Sequence, residues 1–321
     1  MKKRISVLLA FVLVLALLLA ACGGGGGSET RLTMATGGTA GTYYPFGGVM
    51  SAVISNHTDM NVTAVATGAS ADNIQQLGAG DAHIAIAQND VMYYAFTGTS
   101  IWSDSDPVTN FGTIMSLYPE TVQIVVRADS GIYTVDDLAG QRVSTGAPGS
   151  GVVANATQIL AAYGLTMNDI TEHNLGFGPS ADAMRDGTID AFFVTAAAPN
   201  AAVLDLASAH DLRILSLTDA AIASLMADYT FYLPITLTSD DYSFLTEPVQ
   251  SIAVLATLIV SLDVDDDLVY EIARTLIEQQ SEVTEGHARG ADISPETAVQ
   301  AVSVPFHPGA ERFFRELGVL S

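Results

Sequence analysis

Two short stretches constrain the fold of this chain more than any other feature. They are Met34-Ala35-Thr36-Gly37-Gly38-Thr39-Ala40-Gly41-Thr42-Tyr43-Tyr44 and Ser144-Thr145-Gly146-Ala147-Pro148-Gly149-Ser150-Gly151. Each runs from a strand-like segment through a glycine-rich turn into a helical pattern. A junction of this kind leaves free backbone N–H groups at a helix start, where the dipole favours negative charge. Missing Cβ atoms let an anion approach closely. Either junction alone is equally consistent with a tight turn. Two in matched positions favour binding, because open α/β sheets place ligands beyond the carboxyl ends of their strands.

The rest of the chain alternates in the same way. Segments 31–36, 61–66 and 82–87 read as strands, and helices are predicted over 43–56, 69–78 and from Asp90 onward. The second half repeats the logic, with strands at 121–127, 142–145 and 191–194 and helices at 135–139, 152–164, 181–186 and 201–210. Strand-like pieces follow at 213–217 and 232–234. This pattern predicts βαβ units and a mostly parallel sheet. The apolar run 249–260 reads as a buried strand, too short to cross a bilayer. Acids at 263–267 are expected to cap a helix reaching about 285, since they lack the glycine and terminal Glu of a calcium loop. Two further helices are expected near 295–301 and 309–318. No long linker separates the halves, so crossing strands with a hinge at 117–121 and 246–251 are expected.

Several chemistries are excluded. The formal net charge of −23 leaves no basic patch for a phosphate backbone. The first junction lacks G-x-G-x-x-G, no acidic residue lies at the ribose-binding spacing after a second strand, and neither junction contains G-x-x-x-x-G-K-[ST], so no nucleotide cofactor is expected. G-x-S-x-G does not occur, and Gly149-Ser150-Gly151 has the wrong spacing. His57, His83, His173, His210, His287 and His307 form no metal or catalytic motif. No metal, cofactor or catalytic residue is therefore assigned, and the protein is expected not to be an enzyme. Tyr43-Tyr44 and Tyr93-Tyr94 stand out, because tyrosine can both stack and donate a hydrogen bond. One tyrosine of the first pair is expected to face a ligand and the other the core.

The first residues read as an address. Lys2, Lys3 and Arg4 precede an apolar stretch that ends in Leu19-Ala20-Ala21-Cys22. Residues 1–21 match a signal peptide. Leu-Ala-Ala-Cys resembles a bacterial lipobox, so Cys22 is the expected lipidation site and 22–30 a flexible tether. Cys22 is the one cysteine of the chain, which excludes an internal disulfide. An extracytoplasmic domain anchored to the cell membrane is expected. Beyond Arg4 the cations are all arginine. The acid excess reads as a solvation feature rather than a site.

Thr36-Gly37-Gly38-Thr39-Ala40-Gly41-Thr42-Tyr43-Tyr44-Pro45 resembles the opening signature of the TAXI family, the solute receptors of one branch of TRAP transporters. Ala87-Gln88-Asn89-Asp90-Val91, Leu117-Tyr118-Pro119-Glu120, Gly146-Ala147-Pro148-Gly149-Ser150-Gly151, Asp186-Gly187-Thr188-Ile189-Asp190 and Pro305-Phe306-His307-Pro308-Gly309 are similar to later family motifs. The resemblance implies an α/β, two-lobed fold of the type II periplasmic binding protein kind, with a ligand cleft between the lobes. It implies lobe 1 from 31–118 plus 252–321 and lobe 2 from 119–251. Its partners would be a small carboxylate or amino acid, glutamate-like or an oxo-dicarboxylic acid, and a membrane permease driven by an ion gradient. The ligand-binding residues it implies are Gly38, Thr39, Thr42 and Tyr43; Ser70 and Asn73; Gln88; Ala147, Pro148, Gly149, Ser150 and Gly151; and Thr195 and Ala196.

The chain departs from the family at Ala40, around Ala69-Ser70-Ala71-Asp72-Asn73, and at Thr195-Ala196-Ala197-Ala198-Pro199, where a glycine is usual. Arg127 is the candidate cationic contact, against an internal ion pair. The competing readings are a ligand-sensing lipoprotein serving a membrane signalling protein and an enzyme of small acids on the same fold.

Overall fold

The computed structural model describes residues 30–321. The expected signal peptide, Cys22 and the tether up to Glu29 lie outside the described residues. Strands β1 (Thr30–Ala35), β2 (Met60–Val65), β3 (Ile84–Gln88), β4 (Phe111–Arg127) and β5 (Arg142–Ser144) are joined by β6 (Thr171–His173), β7 (Ala191–Ala196), β8 (Leu212–Ile214), β9 (Leu233–Leu237) and β10 (Val249–Ser261) in one sheet. Its order is β2-β1-β3-β10-β4-β7-β5-β6, with β8 added to β4 and β9 to β10. β1 pairs with β3 in parallel, and β5 pairs in parallel with both β6 and β7. The two long strands β4 and β10 run antiparallel.

Most strands feed a helix. α1 (Tyr43–His57), α2 (Ser70–Ala79) and α3 (Asn89–Thr97) follow β1, β2 and β3. α4 (Val152–Ala162), α5 (Phe177–Arg185), α6 (Ala201–Ala207) and α7 (Asp219–Asp228) follow β5, β6, β7 and β8. After β10 come α8 (Asp266–Glu278), α9 (Gln280–Gly286), α10 (Pro295–Ala298) and α11 (Pro308–Glu316). The helices α1 to α7 therefore each begin beyond the carboxyl end of the strand before them.

Period-two alternation assigns the core. In β3, Ile84 and Ile86 join one cluster with α1 and α8, while Ala85 and Ala87 join another with α2 and α3. In β7, Phe193 packs with α4, and Phe192 and Val194 with α5 and α6. β10 is mostly apolar and buried along almost its whole length because both of its faces are covered. Its first half, at Ile252 and Val254, packs with α4, and its second half, at Ala256, Leu258 and Val260, with α1. β4 changes partners in the same way: Met115 and Leu117 lie in the α1 cluster, Val122 and Ile124 in the α4 cluster. Two lobes result, and β4 and β10 pass between them.

The passage is irregular. Tyr118, Pro119, Glu120 and Thr121 pair with Ala256, Leu255, Val254 and Ala253, and the register slips between Ala256 and Thr257. The slip leaves Leu117 without a partner opposite, a bulge that bends the strand. The second expected hinge, 246–251, lies elsewhere. Its last residues instead pair with β9, Val249 opposite Leu237 and Ser251 opposite Ile235.

Several boundaries differ from expectation. β4 starts ten residues before 121, because Gly112 and Pro119 read locally as breakers. Gly112 is required here: a Cβ would lie 2.9 Å from the backbone nitrogen of His307, which the strand meets edge-on. α7 and β6 were not foreseen. The acids at 263–267 do cap a helix, for Asp265 accepts the N–H of Asp267 at 2.9 Å. No helix of the described residues is long and apolar enough to cross a membrane.

Candidate functional site

A cavity of about 290 Å³ lies between the lobes. Lobe 1 provides the turn from Gly37 to Tyr43, the loop from Thr67 to Ser70, and Gln88, while Glu120 enters from β4 where that strand passes between the lobes. The other lobe provides Ala147, Ser150, Gly151, Val152, the stretch from Gly176 to Pro179, Thr195 and Ala196.

The starts of α1, α2, α4 and α5 all lie in this lining, and α3 begins directly after Gln88. Their N-cap residues are Thr42, Ala69, Gly151, Gly176 and Gln88, and none provides a side-chain cap. The contrast with α6, α7, α8, α10 and α11 is direct. Those helices are capped by the side chains of Asn200, Thr218, Asp265, Ser294 and His307. A side-chain cap satisfies one of the N–H groups that every helix start leaves over. Its absence at the starts of α1, α4 and α5 leaves donors there to whatever fills the cleft, whereas in α3 the Val91 N–H already bonds Asp90 Oδ1 at 2.8 Å. α2 is partly satisfied from the opposite lobe, where Gly149 O accepts the N–H groups of Ala71 at 2.9 Å and Asp72 at 3.0 Å. The buried hydroxyl of Ser150, also in the lining, has no partner.

Of the predicted residues, the structure gathers Gly38, Thr39, Thr42, Tyr43, Ser70, Gln88, Ala147, Ser150, Gly151, Thr195 and Ala196 around the cavity. Asn73, Pro148 and Gly149 do not line it. The Asn73 amide donates to Thr36 O at 2.6 Å and Ile86 O at 2.7 Å, tying together the carboxyl ends of β1 and β3. Pro148 and Gly149 touch α2 and its loop: a Cβ on Gly68 would lie 2.7 Å from Pro148 O, and Gly149 makes the bonds just described. All three position the lining rather than form it. Arg127 is also elsewhere, paired with Asp129 through Nε at 3.0 Å and Nη2 at 2.9 Å, so the ion pair replaces the cationic contact. Tyr43 is buried in the lining, and Tyr44 is exposed rather than in the core. Gly151 is set by a close approach, because a Cβ there would lie 1.5 Å from Gln88 Oε1.

Three parts of the lining escaped the sequence reading. Gly176-Phe177-Gly178-Pro179 is a third glycine-rich entry to a helix, and the signal used for the first two also marks it. Thr67 and Gly68 are the approach to α2. Glu120 was visible within Leu117-Tyr118-Pro119-Glu120, but nothing local shows that its carboxyl is buried.

Behind the cavity a buried polar network joins the lobes. Asn155 on α4 accepts from Gln88 Nε2 and from Thr195 Oγ1, each at 2.9 Å. Its amide donates to Asp90 Oδ2 at 2.9 Å and to Tyr232 Oη at 3.0 Å. Gln158 donates to Tyr94 Oη at 2.8 Å and accepts from Tyr232. Burial pushes the Asp90 carboxyl up to about 6, against the hydrogen bonds from Val91 N–H and Asn155. Burial likewise holds Glu120 well above the usual carboxylate range; the bond from the Tyr43 hydroxyl at 2.6 Å opposes this and Asp90 adds to it. No lysine, arginine or histidine lines the cavity among the described residues.

Solved structures with this architecture include a protein from Bordetella bronchiseptica, 16% identical over 91% of this chain and 90% of that one, with a TM-score of 0.53. A mutant of ArgBP from T. maritima is 16% identical over 82% of this chain and 94% of its own, at 0.50. A binding protein component of an ABC phosphonate transporter from Pseudomonas aeruginosa is 11% identical over 82% and 79%, at 0.51. The chain thus has the two-lobed α/β fold of periplasmic binding proteins. The profile of the NMT1-like family matches residues 34–318, nearly the whole of the described chain, and the protein belongs to that family.

Proposed function

We propose that the protein is an extracytoplasmic solute-binding subunit of a TRAP-type (TAXI) secondary transporter. It captures a small carboxylate or amino acid by lobe closure and delivers it to a membrane permease. Cys22 anchors it to the cell membrane through a lipid. The observation that carries this reading is the set of helix starts without side-chain caps around one interlobe cavity. Each contributes roughly 0.3–1 kcal/mol towards a nearby anion, and up to about 2 where it is partly buried. The negative net charge does not cancel this. At physiological salt a surface carboxylate is screened over about 8 Å, whereas an N–H in the lining touches the ligand directly. The fold neighbour from Pseudomonas aeruginosa, named as a binding protein component of an ABC phosphonate transporter, supports capture of a solute. The TAXI motifs support a TRAP permease as the partner. The lining holds hydroxyls, an amide and one carboxyl, a set that binds an acid rather than transforms it.

Closure follows from the same contacts. Solute bridges helix starts of both lobes and shifts an open–closed equilibrium by its differential affinity for the closed form. The test is thermal unfolding of the purified protein in high salt against a panel of small carboxylates and amino acids. A solute at 100 times its dissociation constant stabilises by about 2.7 kcal/mol. An absence of any shift from every acid, with a neutral solute giving one, would discard the anion cleft.

A further inference from the structure

Glu120 sits on β4 directly after Pro119, where the strand passes between lobes, and only 2% of its surface is exposed. Its Oε2 accepts the Tyr43 hydroxyl. Among the described residues no group donates to its other oxygen, and the residue lines the cavity. A glutamine would take the Tyr43 bond equally well and avoid burying an ionisable group. The carboxyl therefore needs a reason. Its surroundings provide no counter-charge. Tyr43 from α1 and Tyr118 from β4 are neutral, Asp90 from α3 is a second carboxyl, Arg289 near Tyr118 is paired with Asp292 at 3.3 Å and lies outside the lining, and the lining holds no cationic side chain.

The cavity thus offers two kinds of recognition, N–H groups at helix starts and one carboxyl. We infer that Glu120 is the specificity-determining contact for an ammonium group, so that the solute is an amino acid with its carboxylate at the helix starts and its amine on Glu120. This inference rests on the solute-binding reading above. An ammonium gives the buried carboxylate the charge partner it lacks, whereas an oxo or hydroxy acid of the same shape does not. A site built to bond an N–H rejects the analogue without it.

The proton balance gives a second signature. Burial favours the protonated form of free Glu120. An ammonium requires the carboxylate, so amino acid binding expels a proton and tightens as pH rises. An acid without an amine binds best to protonated Glu120 and weakens as pH rises. Asp90 affects both kinds of solute alike, so comparing each amino acid with its own oxo acid cancels its contribution.

The experiment is titration calorimetry of the purified protein, in buffers of differing ionisation enthalpy, from about pH 5.5 to about pH 8.5. The probes are the standard amino acids, each with its 2-oxo and 2-hydroxy acid. The expected result is an amino acid bound with proton release, roughly tenfold to a hundredfold more tightly than its oxo acid. Glu120→Gln should reduce that ratio to near unity. If the variant fails to fold, the sign of proton exchange in the wild type decides alone. An oxo or hydroxy acid bound as tightly as its amino acid, with proton uptake, overturns the role of Glu120 and leaves acid capture standing. No binding of any acid to the folded protein overturns both.

Discussion

The side-chain amide of Asn155, on α4 of one lobe, donates to Asp90 Oδ2, on α3 of the other, at 2.9 Å. Both residues are essentially without solvent exposure. The other end of the same Asn155 side chain accepts from Gln88, which lines the cavity. One asparagine thus ties the two lobes together directly behind the candidate site: Thr195 and Tyr232 bond it from its own lobe, and its bonds to Gln88 and Asp90 exist only while the lobes are closed.

Asn155→Ala should therefore open the latch. It leaves Asp90, Gln88 and Thr195 each short of a partner in a buried place, which costs about 1–3 kcal/mol per group before relaxation. Urea unfolding should show a lower midpoint, and small-angle scattering of the solute-free variant a larger radius. An unchanged midpoint would mean that water replaces the amide at no cost.

Asp90 gives that latch a pH dependence. Its folded value, about 6, lies above the ordinary Asp value of 3.9. A raised value means stability that is fully present below about pH 4 and is lost as pH rises through about 6. The shift corresponds to about 3 kcal/mol at most. Asp90→Asn keeps an acceptor for Asn155 and should remove this dependence. The check is the unfolding midpoint of both proteins from pH 4 to pH 7; parallel curves would contradict it.

Gly151→Ala tests closure more sharply. The new Cβ would fall 1.5 Å from Gln88 Oε1 and 2.7 Å from Val91 Cγ2, so the lobes must part. Each lobe keeps its own core, so the variant should fold. Solute-induced thermal stabilisation should fall to near zero. A full shift would show that the closed contact is not needed for binding.

Gly38→Trp addresses the cavity itself. A Cβ at Gly38 meets nothing within 4 Å, so the substitution adds bulk to the cleft without a clash at its root. Folding should be unchanged within about 0.5 kcal/mol, as for most surface positions. Solute binding should be lost in calorimetry. Binding that survives would move the site elsewhere.

Phe46→Ala is the contrasting core test. Phe46 is fully buried against Tyr118 with ring centroids 5.5 Å apart. The loss should be about 3–5 kcal/mol in urea unfolding. A loss under 1 kcal/mol would mean that the lobe collapses around the gap.

The alternation of strands and helices was legible in the residues, and so were both glycine-rich helix entries. These depend on neighbours within a turn or two: a capless glycine entry, an apolar period, a terminal glycine. Their local physics is the same wherever the segment sits. The third entry at Gly176 carries the same local signal.

What tertiary structure alone decided involves partners far apart in the chain. Pro119 and Gly112 look like strand breakers, yet β4 runs through both because β10 and the residues before α11 pair with it on either side. Asn73 reads as a ligand contact and proves to be a brace for two strand ends. Glu120 and Asp90 look like two of many carboxylates until Tyr43 and Asn155, 77 and 65 residues away, meet them in a buried seam. Local sequence determined where backbone donors would be left free, because helix starts are made from a few consecutive residues. Which side chains lose their water, and which charges therefore matter, was decided by lobe packing, because desolvation is a property of everything that surrounds a group.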